Sequence, residues 1–391
     1  MNTAESFRAW YRTEPEGVWS GPGRVNLIGE HTDYNLGFVL PFAIDAATQV
    51  AVRRREDGAA RFASAFGGRD IQEVMVDDVT RFHPGGLAGK EQQWARYPMG
   101  VLWAMREAGI DVPGVDVMIE STVPVGSGLS SSAALECAVA LAIADLTGAF
   151  AERTNQDLLD IAKLAQRAEN EVVGAPTGIM DQAASLLGAE NAALFLDCRS
   201  LENELVPLEL AQNGLTLLVI DTRVSHSHAD GGYAERRASC ELGARLMGVE
   251  SLRDLGIPDL DRAEEILDEV TYRRVKHVVT ENQRVLDTVA TLEADGPRAI
   301  GPLLDASHES MRDDFEISAP ELDLAVETAQ AHGAIGARMT GGGFGGSAIA
   351  LIDSVKEEET RSAILAAFQA AGYGEPGLFS VTPASGARKV D

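Results

Sequence analysis

Alternating or β-branched runs at Ala47–Arg53, Ile71–Val76 and Val115–Glu120 predict strands in the first half of the chain. Helical periodicity covers Ala95–Ala108, Ser131–Leu146 and Gln156–Val173, with a shorter helix over Ile179–Leu187 and a closing strand at Ala192–Asp197. The second half opens on a strong strand, Leu215–Asp221, followed by helical patterns at Tyr233–Met247, Ala263–Glu293 and Pro320–Ala331. Ile335–Thr340 and Ser347–Asp353 read as strands joined by glycines, and a helix over Lys356–Ala371 precedes a last strand at Gly377–Thr382. Strands and helices interleave without a regular βαβ repeat, which predicts the α+β class. A chain of 391 residues outgrows one ordinary core, so two domains are expected, 1–200 and 201–391.

Composition is that of a globular protein, with 45% hydrophobic and 24% charged residues. The balance of 33 basic against 60 acidic residues, a net charge of −27, argues against nucleic-acid or anionic-membrane partners, which need a basic face. A nucleotide substrate stays open, because exposed charges are screened over about 8 Å at cellular ionic strength. Cys137, Cys198 and Cys240 are far apart and form no CxxC pair, so neither a disulfide framework nor a zinc site is expected. The N-terminus does not read as a signal peptide, and the apolar run around Ala133–Ala144 contains Glu136 and is too short to span a bilayer. A reducing, cytoplasmic compartment is therefore expected.

Three segments carry chemistry. Gly23–Asn35 places Arg24, Glu30, His31, Asp33 and Asn35 within thirteen residues, after a strand-like run. Such a cluster suits a hydroxyl-rich ligand, although a polar turn built on Asp33 and Asn35 would look alike. Pro124–Ala134, with Gly126, Ser127, Gly128, Leu129, Ser130, Ser131 and Ser132, lies between a strand and a long helix. Glycines there admit a ligand to the backbone, and free first-turn N–H groups make a phosphate cradle. It is not a Walker A loop, since Gly-Lys-Ser/Thr is missing, and a serine-capped turn is the plainer alternative. Gly336–Ser347 has five glycines in the six positions Gly341–Gly346. Gly341, Gly343 and Gly346 satisfy G-x-G-x-x-G, but a strand follows where a dinucleotide fold needs a helix. The expectation is instead a glycine loop, including Gly342, packed against the phosphate loop.

Together these segments resemble the three signature motifs of the GHMP kinases, and GRVNLIGEHTDYN at Gly23–Asn35 is similar to the galactokinase signature almost letter for letter. GIMDQ at Gly178–Gln182 and YAERRASCE at Tyr233–Glu241 agree with that family too. The resemblance implies an N-terminal domain with a left-handed βαβ unit, a C-terminal ferredoxin-like domain, and an active site between them. It implies ATP-dependent phosphorylation of the anomeric hydroxyl of galactose, giving α-galactose 1-phosphate and ADP with Mg²⁺ as cofactor. It makes Asp181 the carboxylate facing that hydroxyl, with Arg24 beside it, and Glu30, His31, Asp33, Gly178 and Tyr233 the sugar contacts. Ser132 and Glu169 would hold Mg²⁺, and Gly126 to Ser131 would wrap the phosphates. Leu36 and Ser347 depart from the residues common in the family.

The chemistry is coherent. Phosphoryl transfer depends on positioning and charge neutralisation, so Asp181 need only take the proton as the P–O bond forms while Arg24 offsets developing charge. An isolated Arg–Asp pair is most often structural, and only the resemblance raises this one. Readings left open are a kinase of another sugar and a non-catalytic sugar sensor. Intact Gly128 to Ala134, Glu169 and Asp181 favour an active enzyme. His226, His228 and nearby Asp230 have no third partner at a metal-site spacing and read as solvent-facing. Oligomeric state is not encoded in any feature of the sequence.

Overall fold

The computed structural model describes residues 2–65, 70–82, 93–225 and 229–391. Its first half is built on a six-stranded sheet. The spatial order is Arg388–Lys389, Gly17–Asn26, Pro41–Arg55, Gly114–Ser121, Ala59–Ser64 and Gln72–Met75. Neighbours pair antiparallel except Gly114–Ser121 with Ala59–Ser64, which run parallel. Register places Trp19 opposite Val50 and Val50 opposite Ile119, so these side chains share one face. Helices Arg96–Glu107, Ser131–Thr147, Asn155–Ala168 and Met180–Leu187 form a core with that face. On the other face, Val18, Ala51, Ala63 and Met118 receive Phe7 of an N-terminal helix, Thr3–Tyr11.

Every residue from Ala133 to Ala144 is buried, which explains a helix that is apolar all round: it is the centre of the domain. Its backbone lies against the strand Gly17–Asn26, where a Cβ on Gly21 would fall 2.2 Å from the carbonyl oxygen of Ala134. That close approach selects glycine and weakens the strand's own signal, which is why this fully buried strand shows in the sequence only as a strand-like run without bounds.

The second half has a four-stranded antiparallel sheet in the order Gly336–Thr340, Gly345–Asp353, Leu215–Ser225, Gly377–Val381. Its chain order, strand, helices, hairpin, helix, strand, is that of a ferredoxin-like unit. The helix expected over Ala263–Glu293 is two helices, Leu260–Ile266 and Glu269–Asp295. The Asp268 carboxylate accepts hydrogen bonds from the N–H groups of Val270 and Thr271 and caps a new start there. The helix expected over Gln156–Val173 also changes character, ending in a π-turn at Glu169–Val173. Helix Gly301–Glu309 was not anticipated.

A third apolar cluster joins the two halves, with Val25, Leu27, Leu40 and Phe42 against Val219, Leu304, Ile349 and Leu351. The chain end returns to the first sheet, where Trp19 pairs with Lys389. Among the described residues no helix is long and apolar enough to cross a membrane.

Candidate active site

Arg24 is the hub. It lies on the strand Gly17–Asn26 with 5% of its surface exposed. Nε donates to Asp181 Oδ1 at 2.7 Å, Nη2 to Asp181 Oδ2 at 2.9 Å, and Nη1 to the carbonyl of Gly128 at 2.6 Å. One guanidinium thus ties a carboxylate in the first turn of the helix Met180–Leu187 to the backbone of the glycine–serine loop.

That loop turns sharply before its helix. Gly126 and Gly128 have φ of 81° and 78°, and Ser130 sits at φ 57°, left-handed backbone that a non-glycine residue rarely adopts. The Ser130 side chain does not cap the helix it precedes; its hydroxyl donates instead to Asp181 Oδ2. The first turn from Ser131 onward therefore keeps N–H groups for an anion. Ser127 faces away, donating to the carbonyl of Pro124 while its own carbonyl accepts from Ser347 Oγ at 2.7 Å.

The glycine run follows the strand Gly336–Thr340 and continues directly into a strand, Gly345–Asp353, so it opens no helix. It lies on the phosphate loop: a Cβ on Gly341, whose φ is 85°, would stand 3.0 Å from the Gly128 carbonyl oxygen. Glu30 holds its other side. The Glu30 carboxylate accepts from Gly341 N at 2.6 Å and Thr340 Oγ1 at 3.0 Å, and also from Asn26 Nδ2, with Arg338 Nη2 3.4 Å away. Burial pushes its pKa up against the pull of Arg338.

His31 continues this grip, with Nε2 3.2 Å from the Gly342 carbonyl and Nδ1 2.7 Å from the Tyr34 hydroxyl. A carbonyl only accepts, so the proton belongs on Nε2 and Tyr34 donates to Nδ1. Burial, helped by His277, lowers the His31 pKa to about 3, and the ring is neutral. Tyr233 packs on it at 4.9 Å between ring centroids. Asp33 is held by the Tyr34 N–H at 2.9 Å; burial first, and then nearby Asp181, raise its pKa to about 6.

Glu169 enters from the π-turn, a helix irregularity that often marks a functional position. Its Oε2 accepts from Thr177 Oγ1 at 2.8 Å and Gln182 Nε2 at 2.9 Å. Burial, with Asp181 second, raises its pKa.

These groups meet in a cavity of about 290 Å³. Its walls include Arg24, Glu30, His31, Asp33, Gly126, Gly128, Leu129, Ser130, Ser131, Ser132, Glu169, Asp181, Tyr233, Gly341 and Gly342. Three candidates stand outside that wall. Ser127 is buried behind it. Gly343 lines a small adjoining cavity between the two glycine-rich loops. Gly178 lines another neighbouring cavity and backs directly onto Asp33.

Sequence reasoning gave no role to Thr177, Gln182 or Glu136. The last is the one carboxyl inside the apolar run Ala133–Ala144, a visible signal that was used only against a membrane span. His226 and His228 lie outside the described residues. Among the described residues no group of three or more His, Cys, Asp or Glu side chains is placed to hold a metal ion.

The chain matches the GHMP kinases N terminal domain over residues 96–189, the galactokinase galactose-binding signature over 5–54 and the GHMP kinases C terminal domain over 289–374. It is 54% identical to a galactokinase of Streptomyces coelicolor, covering 99% of this chain and 97% of that protein. It is 47% identical to a galactokinase of Mycobacterium tuberculosis, over 94% of this chain and 98% of that one. The crystal structure of Lactococcus lactis galactokinase complexed with galactose superposes with a TM-score of 0.90 at 33% identity, covering 99% and 98% of the two chains. A mevalonate kinase, at 18% identity and a TM-score of 0.64, shares the fold.

Proposed function

The chain belongs to the galactokinases of the GHMP kinase superfamily, and on that premise we propose how its residues divide the transfer of the γ-phosphoryl group of ATP to galactose. The protein is a kinase that converts galactose and ATP to α-galactose 1-phosphate and ADP. The observation that carries the assignment of roles is the paired Arg24–Asp181 contact, made where the cluster Glu30, His31, Asp33 and Tyr233 meets the phosphate loop.

In the reaction the anomeric oxygen forms a bond to the γ-phosphorus as the bond from that phosphorus to the bridging oxygen breaks, leaving ADP. Asp181 accepts the proton of the anomeric hydroxyl, and Ser130, donating to the same carboxylate, fixes its orientation. Arg24 presents positive charge toward the transferred group, because its Nη1 already lies on the Gly128 carbonyl of the phosphate loop. Asp33 accepts from sugar hydroxyls. Tyr233 closes the apolar side of the sugar, and Gly178 leaves room for Asp33. Leu129, Ser131 and the glycines Gly126 and Gly128 offer backbone N–H groups to the phosphates.

A magnesium ion fits this site. Glu169 and Asp181 line one cavity with Arg24 paired to Asp181, Ser132 hydrogen-bonds Glu169, and burial raises the Glu169 pKa. A hydroxyl and a carboxylate are hard oxygen donors, and two protein ligands with nucleotide phosphates make the usual set for Mg²⁺. Ser132 and Glu169 would hold it, and when bound it offsets the negative charge of the phosphates.

The test is ADP release with MgATP across galactose, glucose, talose, N-acetylgalactosamine, arabinose, galacturonate, homoserine and mevalonate. Selective turnover of galactose is expected. Preference for another sugar would overturn the substrate, and binding of galactose without turnover would point to a sensor.

A further inference from the structure

Directly behind the proposed metal ligand lies a buried polar group that the mechanism does not use. Gln182 follows Asp181 in the first turn of the same helix and is wholly buried. Asp181 faces the cavity, and Gln182 turns away from it into the domain. There its Nε2 donates to Glu169 Oε2 at 2.9 Å and to Glu136 Oε2 at 3.1 Å. In this orientation one NH2 group serves both carboxyl groups at once.

We infer that Gln182 is a positioning residue for Glu169, with Glu136 as the second anchor that holds its carboxamide in the required plane. The inference rests on the reading of Glu169 as a ligand of the nucleotide's divalent cation.

Three features support it beyond hydrogen bonding alone. Glu169 opens a π-turn, a helix irregularity that often sits at functional positions. Thr177 Oγ1 lands on the same oxygen that Gln182 holds, so two donors restrain that edge of the carboxylate, while Ser132 also hydrogen-bonds it. Glu136 Oε1 and Gln182 Oε1 have no partner of their own, so this arrangement leaves two buried acceptors unpaired and is kept despite that cost. The GIMDQ segment thereby places adjacent residues on two tasks, Asp181 toward the sugar and Gln182 toward the cation ligand.

The test is titration of Mn²⁺, followed by loss of its free-ion electron paramagnetic resonance signal, onto the full-length protein with galactose and a non-hydrolysable ATP analogue. Gln182→Leu should weaken Mn²⁺ binding about 10- to 100-fold, the range typical of lost support behind a metal ligand. Galactose affinity by calorimetry should stay within about 2-fold, and turnover should recover as Mg²⁺ is raised, which a general packing defect would not allow. Glu136→Leu should shift Mn²⁺ binding in the same direction by less. Wild-type Mn²⁺ affinity in folded Gln182→Leu, or in Glu136→Leu should the first variant not fold, would overturn the inference. Glu169→Gln serves as the control: if it binds Mn²⁺ as wild type does, the metal reading of Glu169 falls, and this inference with it.

Discussion

The carboxylate of Glu30 accepts a hydrogen bond from the backbone N–H of Gly341 at 2.6 Å, joining two segments that lie 311 positions apart in the chain. With His31 on the Gly342 carbonyl, the sugar cluster sets the shape of the glycine loop, and that loop rests on the phosphate loop at Gly128. The two substrate halves of the site are therefore mechanically continuous.

Replacing Glu30 by Ala should damage more than sugar binding. Arg338 is completely buried, and Glu30 is one of the two carboxylates beside it, with Glu281 at 3.8 Å the other. Removing one partner of a buried ionic network costs about 3–5 kcal/mol. Urea unfolding should show a loss at the lower end of that range, since Glu281 remains. KM should rise for ATP as well as for galactose. A rise for galactose alone would show that the glycine loop keeps its shape without Glu30.

Gly178→Ala should impair galactose binding through Asp33. A Cβ at position 178 would stand 2.0 Å from Asp33 Oδ2, too close for any contact, so the carboxylate must move. A loss of galactose affinity of about 10-fold or more is expected, the scale of one displaced hydrogen-bonding group. MgATP affinity, measured by calorimetry without sugar, should be unchanged.

Galactose binding should depend on pH through Asp33. Its pKa is raised from 3.8 to about 6, mainly by burial, so the folded protein holds the proton across that interval. Folding stability from this group consequently falls as pH rises from 3.8 to about 6 and is flat above. Sugar hydroxyls donate to the ionised carboxylate, so galactose should bind more tightly as pH rises from 5 to 7.5. His31 and His277, lowered to about 3 and about 4, stay neutral throughout that range. Calorimetric Kd values at five pH points check this, and Asp33→Asn should flatten the curve.

The sequence exposes the site better than the scaffold behind it. Glu30, His31 and Asp33 fall within four residues, and five clustered glycines demand an explanation, so both segments stand out locally. Local patterns likewise mark the strand Leu215–Ser225 and the helix Asn155–Ala168 to within a few residues. What they miss is tertiary in origin. In the strand Gly17–Asn26, Gly21 meets a helix backbone and Gly23 the Leu129 carbonyl, and such glycines hide its β character. Asp268 breaks a helix by capping its successor, although the apolar period continues through the break. Ser130 reads in the sequence as a phosphate-loop or helix-capping serine, and its bond to Asp181 depends on a residue 51 positions away. Gln182 and Glu136 acquire meaning only because three elements converge on Glu169.

The central claim is that Asp181 takes the proton of the anomeric hydroxyl, and Asp181→Asn tests it most directly. An asparagine keeps the shape and one acceptor for Arg24 but cannot accept that proton. Single-turnover formation of galactose 1-phosphate should fall by about 10²–10⁴-fold, the usual contribution of a positioned base. Calorimetry should find MgATP bound close to wild type. Wild-type turnover in a folded Asp181→Asn protein would contradict the account.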